Sequence, residues 1–516
     1  MKKYPIGIQD FKKLREGGFL YVDKTELIYE LIESGNYFFL SRPRRFGKSL
    51  LLSTLKYFFL GKKELFKGLV VEDKVPETPS PVVHISFSSI DYKGLGLEKA
   101  LTDAINEVAK NYDIALQKPS LAARFRELIH TLGRGEKKLV LLIDEYDKPL
   151  VDYIDQIEKA EEHRDILKNF FSVIKDSDPY IQFFLITGVS KFSKVSLFSD
   201  LNHLEDLTLS RQAATLTGYT QAELEATFAE EIDSIAAEQG LSSTELLKQI
   251  KLWYNGYLWV GSKRLYNPFS VLNFVKQRRF NNFWWETGTP TFLIKKLREG
   301  FHYDFSELES GSTVFESYTL DNLEWRSLLF QTGYLTILDY DSEYEVYTLG
   351  YPNREVKDSM IQHLMGAFTY ESKTQVKPLY AKLKRALDTR DIPAFIEQVD
   401  VLLAGIPHQI FIEKKEAFFH AVLHLTFQGL GLLTESEVST AKGRVDTIVY
   451  AKGYVYVMEF KLDGSAESAL DQIKVQQYGH NLLDQDSEII ALGVNFSSET
   501  RTVAEYVEAD YRKLMR

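Results

Sequence analysis

The chain has 516 residues, of which 44% are apolar and 26% charged. These are ordinary proportions for a globular protein, and the length is too great for one hydrophobic core, so two or three domains are expected. A net charge of −11 argues against indiscriminate binding to polyanions, and the absence of cysteine excludes disulfides and cysteine-ligated zinc or iron–sulfur sites. No apolar run reaches the length of a membrane span, and the start, Met1-Lys2-Lys3-Tyr4-Pro5, lacks the apolar core of a signal peptide. A cytoplasmic protein with no membrane partner is therefore expected.

The first informative element is the apolar run Tyr37-Phe38-Phe39-Leu40. It leads into Arg42-Pro43-Arg44-Arg45-Phe46-Gly47-Lys48-Ser49 and then a helix-like stretch, Leu50 to Leu60. A strand, a tight loop with Gly-Lys-Ser and a helix form the setting of a phosphate-binding loop. Backbone N–H groups from Arg44, Arg45, Phe46, Gly47, Lys48, Ser49 and Leu50 would hold phosphate oxygens of ATP. Lys48 would reach the β- and γ-phosphates, and Ser49 would ligate Mg²⁺. The general pattern has glycine where this chain has Arg42.

Further strands are predicted at Pro81 to Phe87, Lys138 to Ile143 and Ile181 to Gly188, with helices at Leu97 to Leu116 and Glu158 to Lys175. Continuous apolar runs read as buried parallel strands, and their alternation with helices predicts a parallel α/β sheet. His84 reads as a satisfied core histidine. Asp144 and Glu145 close their run at a strand's carboxyl end, where ligands bind in such sheets. Asp144 is placed to hold the Mg²⁺ shell and Glu145 to polarise an attacking water, the alternative being a solvated strand end followed by a turn, Asp144 to Pro149. Thr187, Ser190 and Lys191 end the third run, as a γ-phosphate sensor or a plain strand cap.

The pattern turns helical from Gln221 to Trp253, followed by an aromatic region with Trp253, Tyr254, Tyr257, Tyr266, Phe269, Trp284 and Trp285. The aromatics read as core between helices, with base stacking as the alternative. Basic clusters such as Lys12-Lys13-Leu14-Arg15 are candidate pieces of a local basic channel, though each singly reads as a solvated face. The expected domains are 1–220, an ATPase core; 221–375, a helical lid or linker; and 376–516.

Beyond Ala404 a helix-like run, Glu416 to Leu430, precedes two strands, Gly443 to Tyr450 and Tyr454 to Lys461, joined by Ala451-Lys452-Gly453. A short turn between two such runs predicts a hairpin. Strand alternation puts Glu459 and Lys461 on one face, with Asp446 beside Glu459 on the partner strand. Asp446, Glu459 and the carbonyl of Phe460 would hold Mg²⁺, or Mn²⁺, beside a scissile phosphate, and Lys461 would position hydroxide or neutralise charge. Gln472, on a helix expected from Ser465 to Leu482, would face the metal-bound water or a phosphate. Glu416 or Glu437 would add a further carboxylate, and the competing account is an exposed hairpin with a salt bridge.

The N-terminal part resembles the AAA-ATPase-like family of P-loop proteins. The resemblance rests on Arg42 to Ser49, Ile143-Asp144-Glu145-Tyr146-Asp147, Thr187 to Phe192, Tyr266-Asn267-Pro268-Phe269-Ser270 and Glu286 to Pro290. In that family arginine in place of the first glycine is the usual form. The C-terminal part resembles the PD-(D/E)XK nuclease superfamily, on Gly443-Arg444-Val445-Asp446, Glu459-Phe460-Lys461, Gln472 and Tyr478. The resemblance implies an N-terminal P-loop sheet with helices on both faces, a helical lid region and a restriction-endonuclease-like αβ domain. It implies a nuclease core fused to an ATPase and does not supply a substrate; the expectation built on it is an ATP-dependent, metal-dependent nuclease acting on nucleic acid, with DNA the expected substrate, and a role in phage defence or in mobile elements by analogy. A homo-oligomer is expected, with Arg211 a candidate to complete a neighbour's ATP site. The alternatives are an ATP-driven switch or platform whose nuclease-like domain only binds, and a plain ATPase.

Overall fold

The computed structural model describes residues 2–191, 197–198, 201, 203–284, 291–300, 302–305, 307–316, 324–369, 373–404, 415–430, 433–440, 443–476 and 487–515. The chain separates into two compact units, one of residues 1–287 and 306–357, the other of 288–305 and 358–516. Among the described residues, no helix is long and apolar enough to cross a membrane.

The first unit is built on five strands: β1 (Tyr37–Ser41), β2 (Val82–Ser86), β3 (Leu139–Asp144), β4 (Ile181–Gly188) and β5 (Glu205–Asp206). Their order is β2-β3-β4-β1-β5, with every pairing parallel. The apolar runs predicted as strands are these strands. β1 and β3 are buried along their whole length, as interior strands of a two-faced sheet must be, whereas edge strand β2 leaves His84 and Ser86 half-buried. The helix expected after the first long connection ends sooner than predicted, at Asn111. His84 is not satisfied as expected: its buried Nε2 has no hydrogen-bond partner among the described residues, and burial lowers its pKa.

The middle of this unit carries the helices Gln221–Gln239 and Ser243–Tyr254, both opened by capping boxes, at Thr220 with Glu223 and at Ser242 with Glu245. It also holds a three-stranded antiparallel sheet that the sequence pattern did not announce: β6 (Leu308–Ser310), β7 (Thr336–Asp341) and β8 (Val346–Gly350), in the order β6-β8-β7. Among the described aromatics of this region, Tyr254, Tyr257, Tyr266 and Trp284 are buried, as read, while Trp253 and Phe269 pack half-buried against the cluster that holds Tyr254 and Tyr266; Trp285 lies outside the described residues.

The second unit holds a mixed five-stranded sheet: β9 (Leu433–Thr440), β10 (Gly443–Ala451), β11 (Tyr454–Leu462), β12 (Glu488–Phe496) and β13 (Val503–Asp510), in the order β13-β12-β11-β10-β9. β10 and β11 form the predicted antiparallel hairpin, and β11 pairs in parallel with β12 through the helix Ala466–Gln476. The helix lies on the sheet because Gly493 lacks a side chain; a Cβ there would stand 2.4 Å from the Ala466 carbonyl oxygen.

Candidate nucleotide and nuclease sites

The helix Lys48–Phe59 starts at Gly47, whose φ of 89° is left-handed, and no side chain caps it. Its first N–H groups are left for a ligand. Arg45 is also left-handed, at φ 67°. Left-handed residues at this spacing curl successive N–H groups into a nest shaped for an anion, and a non-glycine residue held there carries backbone strain of the kind that clusters at ligand-binding loops.

Arg42, standing where the general pattern has glycine, is a structural bolt. Its buried guanidinium donates to the carbonyls of Ser41 (2.8 Å), Thr208 (2.9 Å) and Ala213 (2.8 Å), and lies 4.3 Å from the centre of the Trp259 ring. These contacts tie the loop's first residue to the segment after β5 and to the aromatic region.

Lys48 Nζ spans the loop, donating to Arg42 O at 2.8 Å and Pro43 O at 3.0 Å. Burial lowers its pKa, a shift opposed by the carboxylates of Asp144, Glu145 and Asp147. Asp144 is buried at the end of β3, and its Oδ1 accepts from Thr187 Oγ1 at 2.7 Å. Glu145 follows in a left-handed conformation, φ 55°, and burial, then the neighbouring Asp144, raises its pKa. Asp147 pins the loop after β4, accepting from Ser190 N at 2.8 Å and Ser190 Oγ at 2.7 Å. Lys191 pairs with Asp206 at 2.9 Å, and its N–H donates to Gln331 at 2.6 Å. Phe192 and residues 286–290 lie outside the described residues.

Beside Gly47 lies a cavity of about 80 Å³, lined by Pro5, Tyr21, Lys24, Thr217, Tyr219 and Pro268 among others. Thr217 is 4% exposed and its hydroxyl has no hydrogen-bond partner among the described residues. Lys24 Nζ bonds both carboxylate oxygens of Glu223, at 2.6 and 2.7 Å, so the capping glutamate of the helix Gln221–Gln239 also forms one wall contact. Sequence reading did not single out Thr217, Lys24 or Glu223, because only the tertiary fold brings them to the loop.

In the second unit, Lys461 Nζ donates to Glu459 Oε1 at 3.1 Å and to Gln472 Oε1 at 2.5 Å. Glu459 is 2% exposed. The β10–β11 register pairs Thr447 with Met458, so one step further places Asp446 level with Glu459. The side chains of Asp446, Glu416 and Glu437 lie outside the described residues, as does Tyr478. A carboxylate donor with backbone oxygens suits a hard divalent cation. At the loop of the first unit, the uncapped helix start, the two left-handed residues and the carboxylate of Asp144 at the end of β3 likewise fit a magnesium-bound triphosphate.

Residues 5–198 match the family described as Predicted AAA-ATPase, and residues 414–506 match the PD-(D/E)XK nuclease superfamily. A protein described as "Uncharacterized protein in vnfD 5′ region", from Azotobacter chroococcum mcd 1, is 38% identical over 520 residues, covering 98% of this chain and 98% of its own length. The solved structure of the Aeropyrum pernix ORC1 protein in complex with DNA aligns with 66% of this chain and 92% of that one, at 9% identity and a TM-score of 0.26, too distant to add to the fold seen directly. The chain belongs to the AAA-ATPase-like family and carries a domain of the PD-(D/E)XK nuclease superfamily.

Proposed function

We propose that the protein is an ATP-dependent nuclease that cuts DNA with the help of a divalent metal. The carrying observation is the convergence of Lys461 with Glu459 and Gln472 in the second unit. A lysine held between a buried carboxylate and an amide has lost rotamer freedom without a packing reason for its charge, which suits a group kept in place for chemistry.

At the first unit, loop N–H groups and Lys48 bind the phosphates, Ser49 and Asp144 hold Mg²⁺, and Glu145 takes a proton from the attacking water. The cavity beside Gly47 receives the base, with the Thr217 hydroxyl as its polar contact. At the second unit, Asp446, Glu459 and the Phe460 carbonyl hold Mg²⁺ or Mn²⁺, which when bound lowers the pKa of water and offsets charge on the scissile phosphate. Lys461 carries positive charge to the phosphate or positions the nucleophile, and Gln472 orients Lys461. A second copy supplies an arginine to the ATP site; Arg211 is exposed and available for that role.

The test is cleavage of linear, circular and single-stranded DNA and of RNA, in Mg²⁺ or Mn²⁺, with and without ATP. Wild type runs beside Asp446→Ala and Lys461→Ala. Metal-dependent cleavage of DNA that both variants lose supports the reading. Nucleic-acid binding without cleavage under every condition replaces it with an ATP-driven switch whose second unit only binds.

A further inference from the structure

Trp284 holds the phosphate loop and a buried carboxylate at once. Its indole Nε1 donates to Arg44 O in the loop at 3.1 Å, and its backbone N–H donates to Glu355 Oε1 at 2.7 Å. Glu355 is fully buried, and its other oxygen accepts from Ser270 Oγ at 2.7 Å. Ser270 stands in the helix Pro268–Gln277, whose Pro268 lines the cavity beside Gly47 and whose Phe269 lies under the Arg45 guanidinium, 3.6 Å from Cζ to ring centre. The Trp284 ring meets Tyr334 edge-on at 5.3 Å, next to Gly333, where a Cβ would stand 2.6 Å from the Pro43 ring.

The places in the chain matter as much as the bonds. The chain leaves the first unit after Thr287, returns at Ser306 and leaves again after Lys357. Trp284 stands just ahead of the first departure and Glu355 just ahead of the second. One hydrogen bond therefore joins the roots of both exits, and its donor residue is bonded to the phosphate loop.

The loop end of this chain of bonds is suited to reading phosphate. The Arg44 carbonyl and the Arg45 N–H belong to one planar trans peptide and point in opposite directions. A carbonyl held by the indole aims that N–H away from Trp284. An anion that engages the N–H turns the whole peptide, and the turn is delivered to the indole. The Glu355 end cannot yield passively, since a buried carboxylate that lost a donor would bear a large desolvation penalty.

We propose that Trp284 and Glu355 are positioning residues that pass the occupancy of the phosphate loop to the second unit through the roots of its two connections. This rests on the nucleotide reading given above, and the test separates the two. Hydrogen exchange is followed by mass spectrometry on the full chain with Mg²⁺ and saturating AMP-PNP, for wild type, Trp284→Phe and Ser270→Ala. Trp284→Phe keeps an aromatic ring but removes the indole donor; Ser270→Ala removes one bond to Glu355 and leaves Trp284 intact.

The expected result is slowed exchange at the loop in all three proteins. A nucleotide-induced change over residues 358–369 and 392–404 should appear in wild type and be lost in Trp284→Phe and reduced in Ser270→Ala. A change in the second unit that persists undiminished in both variants overturns the inference and leaves the nucleotide reading standing. So does loop protection in wild type with no change in the second unit. No loop protection in wild type overturns both.

Discussion

Thr187 Oγ1 donates to Asp144 Oδ1 over 2.7 Å, joining the ends of β4 and β3 where the carboxylate is buried. The bond fixes one oxygen of the residue proposed to hold the Mg²⁺ shell. Replacing Thr187 by valine keeps the shape and removes the donor. Loss of such a supporting contact commonly lowers metal affinity or activity by about ten- to a hundredfold. ATPase titrations against Mg²⁺ should show that loss in Thr187→Val, with partial recovery at high Mg²⁺; an unchanged Mg²⁺ dependence would remove Thr187 from the site.

ATP hydrolysis should have a narrowed pH range. Glu145 acts as a base only when ionised, and burial beside Asp144 raises its pKa, so activity falls as pH drops through a value above that of an ordinary glutamate. Lys48 binds phosphate only when charged, and burial lowers its pKa, so activity falls as pH rises through a value below that of an ordinary lysine. A kcat/KM profile measured at constant ionic strength checks both limbs. An acid limb at the ordinary glutamate position would rule out Glu145 as the group that sets it.

Restoring the glycine of the general loop pattern should harm the protein. Arg42→Gly leaves three buried carbonyls without their charged donor and removes the partner of Trp259. Hydrogen bonds from charged groups are worth enough that the loss should be on the order of 3 kcal/mol or more. Denaturant unfolding of the first-unit transition measures it, and a neutral or stabilising outcome would show that the loop does not depend on this bolt.

Gly493→Ala should destabilise the second unit. The added methyl would meet the Ala466 carbonyl at 2.4 Å and Leu470 N at 2.9 Å, both backbone atoms. Overpacking of this kind costs about 1–3 kcal/mol, and relief by lifting the helix would carry Gln472 away from Lys461. Thermal melting and cleavage should fall together; a fully stable and active Gly493→Ala would show that the helix has room to shift.

The strands of the first sheet were legible because burial on both faces demands continuous apolar runs, as in Leu139 to Ile143 and Phe183 to Ile186. The loop was legible because strand, Gly-Lys-Ser and helix are adjacent in the chain, and the hairpin because the short turn Ala451-Lys452-Gly453 separates two runs rich in β-branched and aromatic residues. The small sheet of β6, β7 and β8 was not, since its strands are short and Asp339, Tyr340 and Asp341 leave no apolar alternation. Nor were the partners of Arg42, the bond from Trp284 to Arg44, or the Lys24–Glu223 contact. Apart from the Ser41 carbonyl next to Arg42, each joins residues remote in sequence through a polar group whose need for a partner appears only once it is buried. Gln472 was placed from the order of elements, and its meeting with Lys461 depends on Gly493, which carries no pattern of its own.

The measurement that bears most directly on the account is cleavage of linear DNA by the full chain in Mg²⁺, with and without ATP, for wild type, Lys461→Ala and Lys48→Ala. The account predicts that wild type cuts, that Lys461→Ala does not, and that Lys48→Ala no longer responds to ATP. Cutting by Lys461→Ala at the wild-type rate, or a wild-type protein that hydrolyses ATP and leaves every substrate whole, would contradict it.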